Sequence, residues 1–283
     1  MLKKISRQEY NKYIDYIYGL SADISCSAFP IYADGVKTKE LFLSKSKTGL
    51  DGKGEEILLY ERDGKVCGWI HYYFIESDKY LGISSMLTEK GFGDALAELF
   101  QYWSERYKGF SWCFYLPSEN REALDFMAKN GFEIASRDIV DVFLFKNYTP
   151  INQAANVIAI NSGNFELFSD IHRQCDSGMY WNSERIEKNL DRWRIFAYIE
   201  EGKCIGTLYY VCAGKDLEIF GIDYADQRYN PYVTEQLLIC GLNKAKETEA
   251  ESMYFFNDEE THIIAEKLGF KRITEACCFE GEI

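Results

Sequence analysis

Proline is scarce in this chain, four residues in 283, and histidine is scarcer still at three. Little proline leaves long stretches free to run as unbroken helix or strand. Three scattered histidines (71, 172, 262) and no CxxC among nine cysteines exclude a zinc finger or ribbon, and no metal is expected. An odd cysteine count spread over a long chain is not a disulfide framework. It reads as reduced thiols acting as small core residues in a cytoplasmic protein. No apolar run approaches the roughly 18 residues that a membrane span needs. Charges interrupt the first twenty residues where a signal peptide would be apolar. Basic charge is short as well, 32 Lys and Arg against 45 Asp and Glu, a net −13. That field repels a phosphate backbone, so nucleic acid is not an expected partner, whereas a cationic small molecule or basic peptide suits it.

What is present is apolar mass. Hydrophobic residues make up 47% of the chain and charged residues 27%, which excludes bulk disorder. The length suits about two domains.

The organisation is a repeat. EILLYERDGKVCGWIHYYF (56–74) and RIFAYIEEGKCIGTLYYV (194–211) each read as strand, polar turn ending in Gly, and strand, which is a hairpin. FMAKNGFEI (126–134) matches IAEKLGFKRI (264–273), a helix stopping at glycine before a strand. Gly64 and Gly202, Gly68 and Gly206, and Gly131 and Gly269 all lie 138 residues apart, so one domain occurs twice. The expected domains are 1–147 and 155–283, joined near the polar stretch 146–156 with Pro150.

Copy one opens with a helix over 6–20, where Ser6 and Glu9 form a capping box, and a Ser/Lys/Gly-rich segment (44–55) precedes its hairpin. Copy two opens with a strand over 156–160 and two helices. Each copy then runs hairpin, strand (80–86; 217–223), helix (93–107; 233–247), strand (110–116; 252–256), helix (119–129; 259–267) and closing hairpin. The fold class is α/β, a mixed, mostly antiparallel sheet flanked by helices in each copy.

The sharpest chemical signal is TEKGFGDALAEL (88–99), two glycines between a strand and an amphipathic helix. Glycines allow close backbone approach, and free amides at a helix start can hold a phosphate. Neither a GxGxxG fingerprint nor a GK[ST] is present, so the pattern supports neither a dinucleotide nor a nucleoside triphosphate.

On these residues the chain resembles the GNAT N-acyltransferases, as a tandem pair. Thr88, Gly91 and Gly93 stand at that family's [Q/R]xxGx[G/A] loop, and Asn120, Ala123, Gly131 and Phe132 match its later NxxA…GF segment. Met127 and Ala265 stand where the family commonly places a general-acid tyrosine. In copy two Gln227 keeps the loop's first position, but Asn230 and Tyr232 replace both glycines. The resemblance implies direct acetyl transfer from acetyl-CoA to a primary amine, and the chain's negative charge points to a small, cationic or peptide acceptor. A cytoplasmic monomer or homodimer is expected. It implies a cofactor loop in copy one, from Met86, Leu87, Thr88, Lys90, Gly91, Phe92, Gly93, Asp94, Ala95, Asn120 and Phe126. Copy two has the degenerate loop, where Pro231 lacks an amide and Tyr232 adds bulk. The alternative is an inactive CoA-binding or interaction protein on the same fold.

Acyl transfer also needs a base for the amine and a donor for the leaving thiolate. Copy one's fourth strand offers Tyr80 and Ser85, while copy two's offers Glu218, Asp223 and Tyr224. Tyr72, Tyr73, Tyr209 and Tyr210 on the third strands are packing residues or relocated proton donors. His71 and His172 read as structural, and His262 as exposed.

Overall fold

The computed structural model describes residues 1–89, 91–152, 156–177, 179–212 and 214–283. Their contacts divide the chain into two compact units, Met1–Asp138 with Thr274–Ile283, and Ile139–Ile273.

Unit 1 carries β1 (Leu2–Lys4), α1 (Arg7–Leu20), α2 (Lys39–Thr48), β2 (Glu55–Arg62), β3 (Lys65–Ile75) and β4 (Tyr80–Thr88). It continues with α3 (Phe92–Arg106), β5 (Ser111–Pro117) and α4 (Arg121–Lys129). β6 (Ser136–Leu144) begins at its boundary, and the last strand of the chain, β12 (Lys271–Glu282), completes its sheet. The strand order is β1-β2-β3-β4-β5-β12, antiparallel except for the parallel pair β4–β5.

Unit 2 carries β7 (Val157–Ala159), α5 (Glu166–His172), α6 (Ser183–Lys188), β8 (Trp193–Glu200), β9 (Lys203–Val211) and β10 (Asp216–Tyr224). α7 (Pro231–Lys246), β11 (Ser252–Asn257) and α8 (Glu259–Lys267) follow. Its order is β7-β8-β9-β10-β11-β6, again with one parallel pair, β10–β11. The two orders are the same, and each unit takes its last strand from the other end of the repeat.

The hairpins agree residue for residue. Tyr60 pairs with Gly68 and Tyr198 with Gly206, and the register slips at the following step in both. The loops have positive φ at Asp63 and Gly64 (50° and 74°) and at Glu201 and Gly202 (50° and 77°). Two consecutive positive φ values match the right-handed twist of a two-residue hairpin, which glycine adopts at low cost.

α1 starts as read, with Ser6 accepting from the Glu9 amide and Glu9 reaching back, and it buries Tyr10, Ile14 and Ile17 at helical spacing. α3 buries Phe92, Ala95, Leu96, Leu99 and Trp103 on one face. Each fully buried leucine or phenylalanine among them is worth about 2 kcal/mol. The Ser/Lys/Gly-rich segment 44–55 begins inside α2, which reaches Thr48, capped by Thr38 and anchored by Phe42 stacked on Trp69 at 5.4 Å. Two expectations are corrected. Each copy closes on a single long strand, β6 or β12, rather than on a hairpin. His262 is buried, not exposed, with Nδ1 2.9 Å from the equally buried Asp141 carboxylate.

Candidate active site

In each unit the parallel pair separates part-way along its length. β4 and β5 pair only from Tyr80–Ser111 to Gly82–Cys113, and β10 and β11 only from Asp216–Ser252 to Ile219–Phe255. Just beyond, both fourth strands carry one extra residue, Ser84 or Phe220, against the neighbouring third strand. Such a bulge turns the strand and sharpens its twist. A diverging strand leaves backbone N–H and C=O groups in need of partners.

The two units meet that need differently. In unit 1 the opening is filled. The Ala28 amide donates to the Met86 carbonyl at 2.9 Å, Ser27 bridges to Leu87, and the Phe29 amide donates to the Tyr115 carbonyl on β5 at 2.9 Å. Ser85, Met86, Leu87 and Thr88 are all buried as a result. In unit 2 the corresponding strand is reachable. Phe220 is 37% exposed, and Gly221, Ile222, Asp223 and Tyr224 are half-buried. Among the described residues no strand pairs with β10 on the β11 side beyond Ile219.

The cofactor residues expected in copy one lie together around the β4–α3 turn, except Lys90, which is outside the described residues. Gly91 caps α3 with φ +88°, a conformation that suits glycine. Its amide, expected to be free, donates to Glu122 Oε2 at 2.9 Å, and the Ala95 amide donates to the Gly91 carbonyl. Arg62 lies over the loop, paired with Asp94 at 2.6 Å, and a Cβ on Gly91 would meet its guanidinium at 1.7 Å. Gly93 packs against Phe126. Asn120 caps α4 and donates to the Ser27 carbonyl at 2.9 Å. Phe92 is core, and the Thr88 hydroxyl is buried with no hydrogen-bond partner among the described residues.

Of the expected catalytic pair in copy one, Ser85 is buried and accepts from the Trp69 indole at 3.1 Å. Tyr80 is five residues away at the strand's start, roughly 16 Å along β4. Burial, with Tyr73 and Cys113 nearby, pushes the Tyr80 phenol well above its ordinary range. The structure does not bring the two together.

In copy two, Asp223 and Tyr224 point to opposite faces of β10, as strand neighbours must. Tyr224 bonds the Thr234 hydroxyl on α7, and burial raises its phenol to about 12. Glu218 sits before the opening, paired on both sides. Asp223 faces α5, and there the residues converge. His172 Nδ1 lies 2.8 Å from Asp223 Oδ2, and its Nε2 lies 3.1 Å from the Trp181 carbonyl. The imidazole is fully buried between Phe168, stacked at 4.8 Å, and Tyr209 at 5.0 Å. Both nitrogens face acceptors, so the fully satisfied ring is the imidazolium. Burial, the largest single effect, works against that charge. The hydrogen bond and charge of Asp223, the Trp181 carbonyl and Asp176 outweigh it and raise the His172 pKa.

Tyr209 reaches the bulge itself. A Cβ on Gly221 would meet its hydroxyl at 2.6 Å. Burial first, and the Asp223 carboxylate next, hold this phenol protonated far above neutrality. Cys175 lies beside the pair, its thiol raised to about 12 by burial and by Asp223. His172, Cys175 and Asp223 each place one ligand atom within 4.8 Å of the others and could hold a metal ion. A metal there would displace a hydrogen bond of the His172 ring.

The α7 start is less suited to an anion. The Asn230 side chain accepts from the Tyr232 and Val233 amides, and Pro231 has none to offer. The exposed Arg228 has no ion pair among the described residues.

No family model matches the sequence, and no curated protein is similar to it in sequence. Solved structures are similar in fold. A GCN5-related N-acetyltransferase from Sphaerobacter thermophilus superposes over 100% of this chain and 95% of its own, at TM-score 0.63 and 13% identity. The chain has the GNAT fold, in tandem. A tandem GNAT protein from the clavulanic acid biosynthesis pathway aligns over 100% of this chain and 98% of its own, at TM-score 0.53 and 11% identity. A GCN5-related N-acetyltransferase from Kribbella flavida aligns over 84% and 93%, at 0.55 and 13%. At such identities the likeness is one of fold, and the chemistry rests on this chain's own residues. No helix among the described residues is long and apolar enough to cross a membrane.

His172 is the residue that sequence reasoning passed over. A histidine at the end of a short helix carries no signal until its partner, 51 residues later, is known.

Proposed function

We propose that the protein transfers an acetyl group from acetyl-CoA to a primary amine at the open edge of β10. The carrying observation is that Asp223 lies on the reachable stretch of the diverging strand, braced by a buried histidine. Its carboxylate accepts the proton of the incoming ammonium and frees the nitrogen lone pair. The thioester carbonyl lies against β10 amides near Gly221 to Asp223, which take up the oxyanion charge. Tyr209, protonated and placed over Gly221, donates to the departing thiolate of CoA and regains a proton from the amine nitrogen, which loses its second one as the tetrahedral adduct collapses to the amide. Arg228, exposed and beside the α7 start, is the cation nearest the degenerate loop for the cofactor's phosphates. The chain's negative charge and Asp223 favour a cationic acceptor, a small amine or a peptide amine.

Asp223 and Tyr224 were sequence candidates. Tyr224, bonded to Thr234 on the far face, is left to packing. A donor in copy one instead would have to displace Glu122 from Gly91 and residues 27–29 from β4.

Thiol release from acetyl-CoA over a panel of amines tests the reading. Asp223→Asn should lower turnover at least about 100-fold, and Tyr209→Phe about 10-fold or more, with acetyl-CoA affinity kept. If both variants turn over normally while Gly91→Val abolishes turnover, the site belongs to copy one. Binding without turnover on any amine would favour the inactive CoA-binding alternative.

A further inference from the structure

Unit 1 has the GNAT strand opening and a glycine-capped helix start, yet both are occupied by its own chain. β4 loses β5 after Gly82, and three consecutive residues take up the space. Ser27 bridges to Leu87, and the next two amides reach opposite walls, Ala28 to Met86 on β4 and Phe29 to Tyr115 on β5. Asn120, fully buried, fixes the segment by donating to the Ser27 carbonyl at 2.9 Å. Ser27 and Ala28 are completely inaccessible. An extended, amide-bearing ligand lying between the strands would need those same backbone partners.

The helix start shows a second, independent closure. The amide that an anion would use at Gly91 already has one, the Glu122 carboxylate at 2.9 Å. Asp94 adds a second negative charge in the first turn, and Arg62 is committed to it at 2.6 Å. Among the described residues, these two carboxylates against one guanidinium disfavour a pyrophosphate at the helix start.

We propose that unit 1 is self-liganded. Ser27–Phe29 stands where the amide-bearing arm of an acyl-CoA would lie, and Glu122 stands where its pyrophosphate would sit, so the chain binds one acyl-CoA, not two. The count of one rests on the reading of β10 as the donor site, but the closure of unit 1 does not.

Hydrogen exchange read by mass spectrometry, with and without saturating acetyl-CoA, separates the two claims, and calorimetry on the full chain supplies the stoichiometry. Without ligand, peptides covering 26–30 and 83–88 should exchange at least about 100-fold more slowly than unstructured chain. With ligand they should not change, new protection should appear over 219–225, and titration should give one site per chain. Loss of protection at 26–30 on adding ligand, or two sites per chain, would overturn the proposal. Absence of any binding would sink the transferase reading. The closure would then stand or fall on the ligand-free exchange of 26–30 alone, with loop-like exchange overturning it.

Discussion

At the scale of single residues, the argument turns on the His172–Asp223 pair. A buried imidazolium is stable only while its carboxylate is there, and the converse holds for Asp223, whose side chain is 12% exposed. Removing one member leaves an uncompensated charge, so His172→Gln should cost roughly 3 kcal/mol. Its dependence on pH has a definite sign. The folded pKa of His172 is raised above the unfolded value of about 6.5. The pair's contribution is therefore whole below that value and is lost as pH rises through the raised one. Urea unfolding of wild type and His172→Gln at pH values from about 5.5 to 9 should give a stability gap that narrows with increasing pH. A gap that widens instead would mean that the ring is neutral in the folded protein.

At the scale of elements, the glycines that revealed the repeat have distinct jobs. Gly64 and Gly202 supply the hairpin turns, whereas Gly68 and Gly206 let the third strand pass close to the fourth. A Cβ on Gly68 would meet the Leu87 carbonyl at 2.3 Å and the Thr88 Cα at 2.7 Å, which is backbone that cannot step aside. On Gly206 the nearest atoms, the Asp223 carbonyl and Val233, lie at 3.1 Å. Gly68→Ala should therefore cost about 2 kcal/mol or more, and Gly206→Ala less than about 1 kcal/mol, read as midpoints in thermal melts. Equal losses would contradict the tighter fit of unit 1. The hairpins were legible because turn chemistry and alternation are local. The site was less so. Residues 74–81 lie between the matched pair Tyr73–Gly82, but only 212–217 lie between the corresponding Val211 and Glu218. The third-to-fourth turn is thus two residues shorter in copy two, so sequence offset sets Asp223 against Ser85, whereas strand pairing sets it against Leu87. Residues 21–33 show no periodicity at all. Nothing local marks Ser27–Phe29 as a strand-like insert, because its partners lie 58 residues away and more.

At the scale of the whole molecule, the repeat along the sequence and the compact units in space differ by one strand each. Residues 276–282 of β12 pair with β5, placing Ala276, Cys277, Cys278 and Phe279 in the core of unit 1. Residues 139–144 of β6 pair with β11 in unit 2. A cut at residue 147, which the duplication suggests, gives each fragment a strand belonging to the other unit. The 1–147 fragment keeps all its helices yet exposes the β5 edge, a row of unpaired backbone groups beside apolar side chains. It should not fold cooperatively alone, and neither should 148–283, which lacks β6. Mixing the two fragments should restore the native circular dichroism and a single heteromeric species in size-exclusion chromatography. The stronger test is deletion of residues 274–283 from the full chain. Because those residues complete unit 1, hydrogen exchange should accelerate first in β4 and β5, far away in sequence, and least in β8 to β10. If the deletion loosens unit 2 and leaves β5 protected, then each copy closes its own sheet, and the strand exchange assigned to the two units is wrong.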